Sequence, residues 1–237
     1  MRPSRSAASA RASPALSNAP SLARRIAAEG IGSFFLFACV IGSGIMAQNL
    51  SQGNDAIALL GNTLATGAML FVLITMLGPI SGAHMNPAVS LVAAWRGELR
   101  WMDAAAYIAA QFVFGILGAW AAHRMFDLPL LQLSVKARTG LGQALGELIA
   151  TFGLILTIIG TVRYRREWVA PAVALYIVAA YWFTSSTSFA NPAITVARSL
   201  TNSFAGIAPH DVPLFIAAQL AGAAIAALVA RFLFDPA

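Results

Sequence analysis

The chain has 237 residues, of which 59% are hydrophobic and only 10% are charged. A mean hydropathy of +0.74 exceeds what a soluble domain of this length needs and predicts a membrane protein with several spans. The formal net charge is +6, but the basic residues lie in the N-terminal tail and between apolar segments, which argues against a nucleic-acid partner. One cysteine excludes an internal disulfide, and three scattered histidines give no metal-ligand spacing, so we expect no metal and no cofactor.

Residues 1–23 are rich in Ser, Ala, Pro and Arg and predict a disordered basic tail. A cleaved signal peptide would place its apolar core close behind the first charges, whereas here the core starts only after Arg24 and Arg25. We therefore interpret this segment as a cytoplasmic tail.

Six long apolar segments follow the tail, and each is interpreted as a transmembrane helix surrounded by membrane lipid. They lie at 26–48, 56–77, 102–126, 141–162, 169–183 and 212–234. If the N-terminus is cytoplasmic, eleven basic residues fall on that side of the membrane and four on the other. This asymmetry predicts that both termini are cytoplasmic.

Two shorter apolar segments begin with Asn86-Pro87-Ala88 and Asn191-Pro192-Ala193. An asparagine side chain caps free backbone N–H groups, and proline suits the first helical position, so both tripeptides predict a helix start. Ten residues rise only about 15 Å, which is half of the hydrocarbon core. Once its oxygen has capped the helix, the asparagine amide is left to donate hydrogen bonds to a passing solute.

The two halves of the chain carry the same landmarks in the same order. Glu29 and Glu147 lie near the start of the first and fourth spans, and each half contains one Asn-Pro-Ala. Because each half has three spans, an odd number, the second half must insert upside down, with the two half-helices meeting at their N-termini. The predicted fold is an all-α membrane protein with six transmembrane helices and two half-helices in an inverted repeat. Its parts are a first repeat at 24–126 with a half-helix at 86–95, a connecting loop at 127–139, and a second repeat at 140–235 with a half-helix at 191–200.

The run SGAHMNPAV at 81–89, the second tripeptide, the two early glutamates and the duplicated plan resemble the aquaporin and glycerol-facilitator family, the major intrinsic proteins. The resemblance implies a homotetramer with one pore per subunit, which passes water or small uncharged solutes down their gradients. It also implies a second constriction outside the tripeptides, where four residues set the width and polarity of the pore.

This chain departs from the family pattern at that constriction. Members usually carry an arginine directly after the second Asn-Pro-Ala, and this chain has Ile194 there. Counting from the tripeptides places Thr66 and Ser188 at two further filter positions, and water-selective members carry an aromatic residue at the position of Thr66. Loss of a fixed cation and of an aromatic ring predicts a wider, less electropositive and less strictly water-selective pore.

The filter position on the fifth span depends on how the chain is counted. Ungapped counting from Asn191 gives Ala179, whereas anchoring on Pro171 gives Trp182, and we favour Ala179. The predicted filter therefore consists of Thr66, Ala179, Ser188 and Ile194.

The stretches 189–195 and 208–213 resemble bacterial members associated with arsenic-resistance genes. This likeness implies the inner (plasma) membrane of a bacterium. It also implies arsenous acid or a related arsenical as the solute, with glycerol-like polyols as companions.

Four polar residues have roles that the sequence leaves partly open. For Glu29 and Glu147 we favour bracing of the pore loops over proton relay, because the matching family residue accepts backbone N–H bonds. His84 is interpreted as a bracing residue, with a pH gate as the alternative. Arg198 either lines the outer vestibule as a substitute cation or bonds carbonyls at the end of its half-helix.

Three other functions compete with a channel. An ion-coupled secondary transporter also has inverted repeats and broken helices, but it generally needs ionisable or cation-coordinating groups where this chain offers neutral amides. An enzyme is not expected, since no nucleophile–base set and no metal spacing is present. A closed, adhesive family member would be distinguished only by a flux assay.

Overall fold

The computed structural model describes residues 19–234. The tail predicted at 1–23 lies mostly outside the described residues. Where it is described it differs from the prediction, because the first helix already begins at Leu22. The Ser21 side chain caps this helix by accepting a hydrogen bond from the backbone N–H of Arg24.

The described residues form eight α-helices, two short 3-10 helices and no strand. The α-helices are α1 (Leu22–Leu50), α2 (Asp55–Ser81), α3 (Pro87–Trp95), α4 (Trp101–Met125), α5 (Leu141–Tyr164), α6 (Val169–Phe183), α7 (Pro192–Ser199) and α8 (Val212–Phe234). The 3-10 helices, Arg166–Trp168 and Pro209–Asp211, directly precede α6 and α8. We call the face where α1 begins and α8 ends the termini face, and the other the opposite face.

Five helices are long and apolar enough to cross a membrane, namely α1, α2, α4, α5 and α8. The remaining predicted span is α6, which has 15 residues and rises only about 22 Å. Its bounds match the predicted segment, but the chain leaves the helix after Phe183 and runs without regular structure to α7. That early exit supplies the irregular backbone in front of the second Asn-Pro-Ala.

The helices of the two halves pack in matching ways. α1 lies against α4 and α2, α5 lies against α8 and α6, and the contact of α2 with α6 joins the halves. Two glycines permit the closest approaches. A Cβ on Gly118 would lie 2.2 Å from the carbonyl oxygen of Phe34, and one on Gly222 would lie 2.3 Å from that of Leu148. Small residues at such crossings are what close helix packing in lipid requires.

Gly118→Ala is expected to lower the midpoint of thermal unfolding, because α1 and α4 would have to separate to admit the new methyl group. Overpacking of this kind costs about 1–3 kcal/mol. The measurement is tryptophan fluorescence of the detergent-solubilised protein during heating. Gly142→Ala in α5 is the matched control, since nothing beyond its own turn of helix lies within 4 Å of its added Cβ. Equal midpoints for Gly118→Ala and the unmodified chain would contradict the close approach.

Candidate functional site

A cavity of about 730 Å³ lies along the middle of the bundle. Towards the termini face its lining includes Arg96, Glu98, Arg166 and Glu167, and towards the opposite face it includes Arg198. Both halves of the chain contribute to its centre, where the lining residues are His84, Met85, Asn86, Phe189, Ala190 and Asn191. The two Asn-Pro-Ala stretches therefore meet at one shared space.

Each asparagine caps its half-helix through its side-chain oxygen. Asn86 Oδ1 accepts from the N–H of Ala88 at 2.9 Å, and Asn191 Oδ1 accepts from the N–H of Ala193 at 3.0 Å. The following prolines occupy the first helical positions of α3 and α7, where a missing N–H costs nothing. These are the local structures that the tripeptides predicted.

The asparagine amides also tie the two half-helices together. Asn86 Nδ2 donates to the carbonyl of Ala190 at 2.7 Å, and Asn191 Nδ2 donates to the carbonyl of Met85 at 2.8 Å. A primary amide has two N–H donors, so each asparagine keeps one for the cavity. The sequence predicts an amide that is wholly free for a solute, but half of its donor capacity is used between the two halves.

The segment ahead of α3 is held by a buried carboxylate. Glu29 is 0% exposed. Its Oε1 accepts from the N–H of His84 at 2.9 Å, and its Oε2 accepts from the N–H of Met85 at 2.6 Å and from Gln111 Nε2 at 2.9 Å. Gln111 also donates to Ser90 Oγ in α3 at 3.0 Å. These bonds give partners to N–H groups of the non-helical backbone, which water could not satisfy inside a membrane.

The segment ahead of α7 repeats this arrangement. Glu147 accepts from the N–H groups of Phe189 and Ala190, each at 2.8 Å, and from Gln219 Nε2 at 2.5 Å. Gln219 also donates to Thr195 Oγ1 in α7 at 2.9 Å. Both glutamates thus make the contacts that a bracing role requires.

Matching residues in the two braced segments have a left-handed backbone. The φ angles are 50° at Ala83 and 47° at Met85, and 48° at Ser188 and 47° at Ala190. A non-glycine residue held there costs about 1–3 kcal/mol and persists only where its surroundings fix it. The glutamate hydrogen bonds provide that constraint beside the cavity.

His84 lines the cavity and has contacts of its own. Its Nδ1 lies 3.1 Å from Ser90 Oγ, and its ring meets that of Tyr107 edge-on at 5.5 Å between centroids. These contacts fit the bracing role favoured by the sequence.

The part of the cavity between the asparagines and Arg198 brings together three of the four predicted filter residues. Thr66 from α2, Ser188 from the segment before α7 and Ile194 from α7 all line it. The Ser188 hydroxyl is buried and has no hydrogen-bond partner among the described residues. Ile194 presents an apolar wall and is 4% exposed.

Ala179 is not at the lumen, and the sequence prediction for α6 is wrong at this position. Ala179 lies on the exposed surface of α6, and the alternative Trp182 is 48% exposed. Tyr181 lines the cavity instead and donates from its hydroxyl to Thr66 Oγ1 at 3.4 Å. Ala179 is two residues from Tyr181 and therefore about 200° away around the helix.

A signal in the sequence could have found Tyr181. The lining residues of α6 are Val169, Ala170, Val173, Ile177 and Tyr181, mostly spaced by three or four positions. That spacing marks one helical face. Following the face is more informative here than counting back from the tripeptide.

Comparisons with known proteins decide the family. A model of the family described as "Major intrinsic protein" matches residues 16–185, which is more than half of the chain. The chain is a major intrinsic protein. Members of this family are channels and not enzymes, and the fold prediction is confirmed.

Two relatives and one solved structure illustrate the likeness. This major intrinsic protein is 56% identical to aquaglyceroporin AqpS of Rhizobium meliloti (strain 1021) over 216 residues, which cover 91% of this chain and 92% of AqpS. It is 29% identical to aquaporin NIP2-1 of Zea mays over 197 residues, covering 79% and 65% of the two chains. An X-ray structure of the aquaglyceroporin from Plasmodium falciparum superposes with a TM-score of 0.70 at 19% identity, covering 91% of this chain and 98% of that one.

Arg198 of this major intrinsic protein contacts both the lumen and a backbone carbonyl beyond the end of its half-helix. It lines the cavity, and its Nε donates to the carbonyl of Ala205 in the segment after α7. The guanidinium carbon lies 3.4 Å from the centroid of the Phe189 ring. Arg198 is thus held on two sides while it remains part of the lumen wall.

Two more cations lie near Arg198, in the segment between α4 and α5. Arg138 Nε donates to the carbonyl of Gly206 at 2.9 Å, and its Nη1 donates to that of Ser186 at 3.0 Å. Burial lowers the pKa of Arg138 to about 10, which leaves it charged at neutral pH. Lys136 Nζ donates to the carbonyl of Phe204 at 2.9 Å. These contacts join distant segments and have no local signature, so they could not be predicted from the sequence.

The pKa of the Lys136 ammonium is lowered from 10.5 to about 8. Burial makes the largest contribution, repulsion by Arg138 and Arg198 adds to it, and attraction to Asp55 opposes it. The ammonium is therefore charged below pH 8 and loses its proton as the pH rises through that value.

Acylation of Lys136 is expected to reach half of its maximal rate near pH 8, because only the neutral amine is nucleophilic. Lys136 is the single lysine of the chain, so mass spectrometry of its peptide reports this site alone. Nα-acetyl-lysine amide labelled in the same tubes is the control for an ordinary amine. A midpoint equal to that of the control would contradict the effect of burial and neighbouring charge.

Proposed function

We propose that this chain is a passive channel for small uncharged solutes, namely water, glycerol-like polyols, and arsenous acid or a related arsenical. The observation that carries the proposal is the cavity that both asparagines line from opposing half-helices. The family supports passive solute conduction, and the name of AqpS, an aquaglyceroporin, supports polyols among the solutes.

A solute can cross because the cavity wall offers hydrogen bonds in place of those that the solute makes with water. A solute that enters gives up hydration and must find hydrogen-bonding groups in the wall. Asn86 and Asn191 each offer one amide N–H at the centre. The N-termini of α3 and α7 point at the same place, and their positive dipole ends disfavour a cation there.

The proposed filter consists of Thr66, Tyr181, Ser188 and Ile194. Three of these side chains carry hydroxyl groups and the fourth is apolar, which suits a solute that has several hydroxyls and an apolar side. Glycerol and arsenous acid are both neutral polyhydroxy molecules of this kind. Without the usual arginine at position 194, the wall is less crowded than in the family pattern, which favours solutes larger than water.

We also propose the setting in which the channel works. The chain would be a multi-pass protein of a bacterial inner (plasma) membrane, with both termini in the cytoplasm and four copies in a homotetramer. The distribution of basic residues supports the orientation. The family resemblance supports the tetramer.

The ion-coupled transporter is less well supported than the channel. Glu29 and Glu147 are the carboxylates that lie beside the two braced segments, and both are 0% exposed. Each already accepts several hydrogen bonds from the loops that it holds. Carboxylates occupied in this way are poorly placed to bind and release a coupling ion.

The test is stopped-flow light scattering of proteoliposomes that contain the purified chain. A channel gives fast swelling in glycerol and fast water flow, both proportional to the gradient and unaffected by a proton ionophore. Protein-free liposomes give the background. Saturable glycerol uptake that collapses with the proton gradient would favour the transporter, and rates equal to the background would contradict conduction.

Ile194→Arg is expected to reduce glycerol and arsenous acid uptake at least about tenfold, a barrier increase of about 1.4 kcal/mol, while water flow is retained. The long charged side chain would fill the space beside Thr66 and Ser188. Uptake into proteoliposomes measures the effect, and Ile194→Val is the control that keeps the wall apolar. Unchanged uptake of both solutes in the arginine variant would show that residue 194 does not limit the pore.

A further inference from the structure

We propose that Arg198 supplies the cation of the outer constriction, one helical turn beyond the position where the family usually carries its arginine. In this chain the exclusion of cations and the width of the filter are then set by different residues. The inference rests on the proposed channel function.

The geometry of α7 puts Ile194 and Arg198 on the same side of the helix. Residues four apart in an α-helix lie one above the other, about 6 Å apart along the axis. Both line the cavity. A solute moving between the opposite face and the asparagines therefore passes Arg198 next to an apolar wall at Ile194.

The guanidinium of Arg198 is fixed in place without a neutralising partner. The residue is 2% exposed, its Nε is bonded to the carbonyl of Ala205, and its planar group lies on the Phe189 ring. Among residues 19–234, no carboxylate forms an ion pair with it. Its positive charge is therefore available to act on whatever occupies the lumen.

Two neighbouring cations add to the positive electrostatic potential at Arg198. Arg138 lies 4.8 Å from the centroid of the same Phe189 ring, and Lys136 lies over the Phe204 ring at 4.3 Å. Neither is among the described residues that line the cavity. Of the acidic groups in this region, Asp211 accepts from the backbone N–H of Arg138 at 2.7 Å, and Glu147 accepts from the backbone N–H groups of Phe189 and Ala190. Arg198 is the member of this cluster that meets the solute.

Urea and guanidinium provide the sharpest test, because they have nearly the same size and shape and differ by one charge. In proteoliposomes the unmodified chain should pass urea and exclude guanidinium. Arg198→Met should still pass urea, and its ratio of guanidinium influx to urea flux should rise by about 10- to 100-fold. The upper value corresponds to one unit charge about 6 Å from the permeating ion at an effective dielectric constant of about 20. Arg198→Lys, which keeps the charge, should retain exclusion.

Two further variants make the result specific. Arg124→Met removes an exposed cation at the end of α4, on the same face but outside the lumen, and should leave both fluxes unchanged. The exchange Ile194→Arg/Arg198→Ile moves the charge to the usual family position and should exclude guanidinium again. That rescue would not follow if Arg198 only held the segment containing Ala205.

Several outcomes would overturn the inference. Arg198→Met that conducts urea and still excludes guanidinium would show that the charge is not needed. If that variant cannot be reconstituted, Arg198→Gln, which keeps a donor for Ala205, carries the same test. Failure of both to fold would assign Arg198 a structural role and reject the proposal. An unmodified chain that passes neither urea nor glycerol would instead contradict the channel itself.

Discussion

Non-helical backbone can lie inside a membrane only if its N–H and C=O groups have partners in the protein. In this chain the constraint falls on two segments, 82–86 and 184–191, which interrupt the helices near the middle of the bundle. Glu29 and Glu147 each accept from two of these N–H groups, and the asparagine amides satisfy one carbonyl from each segment. The cavity, the half-helices and the left-handed residues all depend on these hydrogen bonds.

The two halves have the same braced backbone but differ in the side chain two positions before the asparagine. In the first half the residue two positions before the asparagine is His84, whose ring nitrogen contacts Ser90. In the second half it is Phe189, which has no polar group and meets the rings or guanidinium groups of its neighbours. The pseudo-symmetry therefore holds for the backbone and for the braces, while the surfaces towards the two mouths differ.

Much of the fold was accessible from the sequence, and the reasons are local. The bounds of α6 and α8 follow from apolar segments that end at polar or charged residues, and the starts of α3 and α7 follow from Asn-Pro. The filter was only partly accessible. Position 179 was chosen by counting along the chain, which ignores how a helix turns, and the lumen is formed by Tyr181. Arg138 could not be assigned because its partners, Gly206 and Ser186, are distant in sequence and are brought near only by the completed fold.

The use of one amide hydrogen by each asparagine has a consequence for water at the centre of the bundle. The two N–H groups that remain come from opposite halves, and a single water oxygen has two lone pairs to receive them. When both are received, the two O–H bonds of that molecule turn away from the asparagines. Such a water accepts no hydrogen bond from its neighbours in the file, so a proton arriving along the water chain finds no lone pair on which to continue. The hydrogen bonds that link α3 and α7 through the asparagine amides would thereby interrupt proton hopping without blocking the passage of water.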